Sequence, residues 1–162
     1  MSALMFKEDM YEDLQANSDE IGVLGHGYTY SGHPVGAAVA MEALDIYDDI
    51  DLVGHVRNVS PGFLAGCEAL QDHPLVGHVA GVGLFCGIQL VEDKATRQLF
   101  DPALKVGQRV QDHAHDHGLY LRSLTPDRIS FMPPLIINEE EIAEATRRLA
   151  AALDDTWKEL QA

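Results

Sequence analysis

The order of elements along this chain predicts an α+β fold, with helices layered on one face of a small, mostly antiparallel sheet. Three observations predict it. From residue 51 onward the pattern runs helix, strands, helix, strands, helix, an order that suits helices packed on an antiparallel sheet. Between residues 75 and 91, Val76, Val79, Val82, Leu84, Phe85, Ile88, Leu90 and Val91 interleave with glycines, which reads as a β-hairpin or two paired strands. Finally, Asn138 and Glu141 stand at the spacing of a capping box, before Ile142, Thr146, Leu149, Leu153, Trp157 and Leu160 on one helical face.

The remaining elements follow in order. Residues 3–6 are a short apolar run ending in Lys7-Glu8-Asp9 and read as a strand or its tail. Residues 10–15 suit a short helix, and 16–20 a polar loop. HGYTYSGHP, residues 26–34, is a loop ending in a proline suited to the first turn of a helix. Residues 35–46 are alanine-rich and apolar nearly all round, the pattern of a helix buried on most sides. Asp48, Asp49 and Asp51 offer N-caps for a helix turning Leu52, Val53, Val56 and Val59 toward a core. Pro61-Gly62 is expected to kink or break it, since an interior proline costs about 3 kcal/mol. Residues 63–70 resume the pattern, and His73-Pro74 ends it. Asp101-Pro102 starts a further helix, with Ala103, Val106, Gly107, Val110 and Ala114 on one face and Gly118 as its stop. Residues 119–122 and 129–132 read as short strands around a Thr125-Pro126-Asp127 turn.

Composition narrows the function classes. The 162 residues are 46% hydrophobic and 7% aromatic, as in a globular domain with its own core. Eleven basic against 26 acidic residues give a net charge of −15. That balance repels phosphate backbones and anionic lipid, so no nucleic-acid and no membrane partner is expected. No apolar run approaches the roughly 20 residues of a membrane span. The first residues show no basic segment followed by an apolar one, so no signal peptide is expected. Two cysteines, Cys67 and Cys86, without a CxxC pair, fit a reducing compartment, by default the cytoplasm.

Several patterns bear on chemistry. In HGYTYSGHP, Thr29 and Ser31 supply hydroxyls, Gly27 and Gly32 let backbone approach a ligand, and Pro34 opens a helix. Free N–H groups at a helix N-terminus attract an anion, phosphate above all. The same residues also suit a tight turn that merely caps a helix. Ser31 is not a hydrolase nucleophile, because position 29 is Thr and the G-x-S-x-G elbow is absent. His113 and His117 have the i, i+4 spacing of metal ligands, but histidines in a helix's last turn are also favoured by its dipole, and no metal is expected. The Gly81, Gly83 and Gly87 series lacks the strand-turn-helix context of a dinucleotide site. By residue type alone, Arg122 reads as a surface strand residue paired with Asp127.

HGYTYSGHPVGAA resembles the stretch after the catalytic lysine of class III aminotransferases, the ω-amino-acid or amine:pyruvate transaminase group in particular. The resemblance continues through GLFCGIQLVEDKATRQLFDP (residues 83–102), GLYLR (118–122) and MPPLIIN (132–138), covering almost the whole chain. It implies the C-terminal part of a fold-type I, pyridoxal-5'-phosphate-dependent transferase. Residues 1–50 would end the large cofactor domain and 51–162 form the small C-terminal domain. The implied reaction moves an amino group from an amine or ω-amino acid to an α-keto acid such as pyruvate. Thr29, with Ser31 beside it, matches the residues that bind the cofactor phosphate across a homodimer interface. Arg122 matches the arginine that holds the substrate carboxylate, where a planar guanidinium makes two parallel hydrogen bonds. The sequence departs from relatives at Ala80, Gln89 and Met132, where arginine, glutamate and serine are common. Transamination also needs a lysine that forms a Schiff base with the cofactor. Lys7, Lys94, Lys105 and Lys158 do not match that motif, which is expected upstream of Met1. The chain alone is therefore expected to be inactive; the alternative is a non-catalytic truncated product or interaction module retaining this fold.

Overall fold

The computed structural model describes residues 2–22, 25 and 27–162, which form two compact units, Met1–Ile50 and Asp51–Ala162. In the first unit, α1 spans Glu8–Ile21 and α2 spans Pro34–Asp49. Residues 3–6 are not a strand; they are exposed and pair with no other segment among the described residues. The polar loop expected at 16–20 is helical instead. There Asn17 Nδ2 donates to Asp13 O and Ser18 Oγ to Gln15 O, so these side chains bond to the preceding turn rather than unwinding it. Pro34 takes the first helical position of α2, as expected. The expectation that α2 is buried fails within this unit: it has no buried residue, and Val35, Val39, Met41 and Leu44 are each more than half exposed. An all-round apolar helix is covered only where other elements surround it, and α1 is the only other helix of this unit among the described residues.

The second unit opens with α3, Leu52–Ala69, whose N-cap Asp51 accepts from Gly54 N at 3.2 Å. Leu52, Val59, Phe63 and Cys67 form its buried stripe, whereas Val53 lies outside it. The helix does not break at Pro61. The carbonyl that Pro61 cannot bond belongs to Arg57, an exposed residue. A 3-10 turn, Leu70–Asp72, ends the segment before β1 (Val76–Val82) and β2 (Phe85–Leu90) form the expected hairpin. Gly83, at φ +58°, supplies the left-handed turn residue between them.

The helix expected from residue 101 is divided. Asp101 caps a 3-10 turn, Pro102–Leu104, by accepting from Ala103 N at 2.9 Å. Lys105 then adopts φ +49°, and α4 runs Val106–Asp116 with Val106, Gly107, Val110 and Ala114 buried as expected. β3 (Arg122–Leu124) and β4 (Arg128–Phe131) complete an antiparallel sheet of order β1-β2-β4-β3. Both strands are offset from the expected 119–122 and 129–132. α5, Glu139–Gln161, carries both hydrogen bonds of the capping box, Glu141 N to Asn138 Oδ1 at 2.9 Å and Asn138 N to Glu141 Oε2 at 3.0 Å.

Along β2, buried Cys86, Ile88 and Leu90 alternate with half-buried Gly87 and Gln89, so one face of the sheet looks into the core. Phe63 of α3 packs on Phe131 of β4, ring centroids 5.2 Å apart, and Val110, Leu149 and Leu153 close the core from α4 and α5. This arrangement leaves β3 at the sheet edge, with α4 beside it.

Candidate functional site

Thr29 and Ser31 sit in a turn ahead of α2. Ser31 N donates to Tyr28 O at 2.9 Å, and Tyr28 N donates to Ser31 Oγ at 3.1 Å. Ser31 oxygen therefore shapes the turn, while its hydroxyl proton is left to donate. Gly32 follows at φ +69°, and His33 leads into Pro34 in extended conformation. Among the described residues no side chain caps α2, whose start at Pro34 follows the exposed Thr29 by five positions. Hydroxyl and amide donors at a helix N-terminus fit the phosphate end of pyridoxal phosphate. His26, the first residue of the motif, lies outside the described residues.

Arg122 is in the second unit, at the start of the edge strand β3, and is exposed. The pairing with Asp127 read from residue type is not formed. Asp127 Oδ1 instead accepts from Gly107 N at 2.8 Å, at the start of α4. There a carboxylate meets the positive end of the helix dipole. Among the described residues, Arg122 has no salt bridge and no side-chain hydrogen bond. The backbone around it is held by side chains the sequence did not single out for this role. Gln111 Oε1 of α4 accepts from Ser123 N at 2.7 Å. Gln89 Nε2 donates to Pro126 O at 2.9 Å and to Leu90 O at 3.1 Å, while its Oε1 accepts from Arg128 Nε at 3.3 Å. No local pattern marks a glutamine whose partners lie 12 or 37 positions away.

Several other titratable groups have structural partners. His113 Nε2 meets Glu159 Oε2 at 3.1 Å and His117 Nε2 meets Asp155 Oδ2 at 2.9 Å, so the i, i+4 pair joins α4 to α5. No group of three or more metal-ligating side chains is assembled among the described residues. Lys94 Nζ donates to Gln71 O and His73 O, and Lys158 Nζ to Asp155 Oδ1.

The class III aminotransferase family model matches residues 1–153. An uncharacterised aminotransferase of Sinorhizobium fredii is 41% identical over 162 residues, covering 99% of this chain and 35% of its own length. Gamma aminobutyrate transaminase 2 of Solanum lycopersicum is 34% identical over 161 residues, with the same shares of 99% and 35%. Among solved structures, a thermostable omega transaminase mutant from Pseudomonas jessenii has a TM-score of 0.84 at 37% identity, covering 94% of this chain and 34% of that one. The PMP-bound form of an aminotransferase from Vibrio fluvialis has a TM-score of 0.85 at 32% identity, with shares of 94% and 33%. The chain thus spans 35% of the length of these two curated relatives.

Proposed function

This chain belongs to the class III aminotransferases, and we propose that it serves within a longer, pyridoxal-phosphate-dependent enzyme. That enzyme moves an amino group from an amine or ω-amino acid to an α-keto acid such as pyruvate. Residues 1–50 end its large cofactor domain and 51–162 are its small C-terminal domain; the division of the chain after Ile50 supports that assignment. The names of the tomato relative, a gamma aminobutyrate transaminase, and of the Pseudomonas jessenii omega transaminase support an ω-amino donor.

The cofactor, when bound, supplies the electron sink for the substrate carbon that loses its proton. The residues of this chain bind and orient. Thr29, with Ser31 beside it, holds the phosphate from across a homodimer interface. Arg122 grips the acceptor carboxylate through two parallel hydrogen bonds. The Schiff-base lysine lies outside residues 1–162, so these residues do not transaminate by themselves. A cytoplasmic setting is supported by the two buried free thiols, Cys67 and Cys86. No helix among the described residues is long and apolar enough to cross a membrane.

The observation that carries this reading is Arg122, an exposed guanidinium on an edge strand with no ion-pair partner among the described residues. The test measures the two half-reactions separately, in single turnover, in a complete class III aminotransferase carrying this segment. Arg122→Ala raises the KM for pyruvate by about one to two orders of magnitude, the loss of a charge-assisted hydrogen bond of ~1.5–3 kcal/mol. The half-reaction of a carboxylate-free amine is left nearly unchanged. Arg122→Lys rescues little, because an ammonium lacks the planar fork. Equal slowing of both half-reactions by Arg122→Ala makes Arg122 structural and the carboxylate role wrong.

A further inference from the structure

We infer that Gln111 and Asp127 are positioning residues for the carboxylate grip, fixing the backbone from which Arg122 reaches; the inference rests on the role proposed for Arg122 above. β3 is three residues long and among the described residues pairs only with β4, through Arg122↔Ser130, Ser123↔Ile129 and Leu124↔Arg128. A short edge strand leaves outward backbone groups unpaired and is held weakly by its ladder alone. Here α4 supplies what the missing neighbour strand would. Ser123 N donates to Gln111 Oε1 at 2.7 Å, and at the turn that follows, Asp127 Oδ1 accepts from Gly107 N at 2.8 Å.

The close approach depends on glycine at 107. A Cβ there would stand 2.5 Å from Ser123 Oγ and 3.1 Å from Asp127 Cα. From β2, Gln89 holds the same turn through Pro126 O at 2.9 Å. The hairpin is therefore gripped by α4 and by β2, while the Arg122 side chain itself is left unengaged among the described residues. The guanidinium moves on its own torsions from a fixed root. Less freedom then has to be lost when a carboxylate binds. Loosening the root weakens binding of carboxylate substrates and leaves chemistry on a carboxylate-free amine alone.

The test has two readouts. In the 162-residue chain, Gln111→Met keeps side-chain size but removes the acceptor, and Ser123 amide hydrogen exchange speeds up by about threefold to tenfold, the equivalent of one lost hydrogen bond. Gln111→Glu keeps an acceptor oxygen and restores slow exchange. In a complete aminotransferase carrying residues 51–162, Gln111→Met and Asp127→Ala raise the KM for pyruvate by about threefold to tenfold. The kcat with a carboxylate-free amine is unchanged, and Gln111→Glu and Asp127→Asn recover most of the loss. Unchanged Ser123 exchange overturns the inference. So does an unchanged pyruvate KM, or an equal loss in both half-reactions, when Arg122→Ala is itself selective. An unselective Arg122→Ala overturns the function proposed for Arg122, and this inference with it.

Discussion

Thr29 and Arg122 are both exposed polar residues, yet the roles proposed for them differ. Thr29 precedes α2, whose start has no side-chain cap among the described residues, and donors at a helix N-terminus favour an anion irrespective of the substrate present. Thr29→Ala is therefore expected to weaken cofactor retention by about 1–3 kcal/mol, one hydrogen bond to a charged group. Equilibrium dialysis against pyridoxal phosphate, in a complete enzyme carrying the segment, measures it; unchanged retention removes Thr29 from the phosphate site. The turn around Thr29 was legible in HGYTYSGHP because its glycine, hydroxyl and proline positions are local. The free state of Arg122 was not legible. It depends on Asp127 choosing Gly107 N, 20 positions away, over the guanidinium five positions back.

At the scale of elements, α5 was legible from end to end, because a capping box and a helical stripe are both written within a few residues. α3 and α4 departed from expectation through single residues. Pro61 sits four positions after exposed Arg57, whose carbonyl it cannot bond, and the helix continues through it. Lys105 takes φ +49° between the Asp101-capped turn and α4, a break that no periodicity encodes. α5 also carries a pH-dependent cluster of three side chains, Glu144, Arg147 and Arg148. Arg147 and Arg148 hold the Glu144 carboxyl down to about 2 from its ordinary 4.5, through hydrogen bonds at 2.7 and 2.8 Å. A carboxyl depressed in the folded state stabilises it above the unfolded pKa, and that margin is lost as pH falls through the folded value. Glu144→Gln is thus expected to lower the melting temperature at pH 7, with the difference from the parent narrowing from about pH 4.5 to 2. The effect is small, as for exposed pairs generally. A difference that stays constant across that range contradicts the assignment.

At the scale of the whole chain, the two units contrast. Asp51–Ala162 has a continuous core, whereas Met1–Ile50 exposes Leu4, Met5, Val35, Val39, Met41 and Leu44. Exposed apolar patches above about a few hundred Å² drive association. The 162-residue chain is expected to self-associate and to bind a hydrophobic dye; a monodisperse monomer by light scattering, without dye binding, contradicts this. The proposed division of labour is that these residues bind and orient while the reactive lysine lies elsewhere. Its most direct measurement adds pyridoxal phosphate to the 162-residue chain, reduces with borohydride and maps the labelled peptides. Only scattered, substoichiometric labelling among Lys7, Lys94, Lys105 and Lys158 is expected. One lysine labelled stoichiometrically, with a matching cofactor absorption band before reduction, would contradict it.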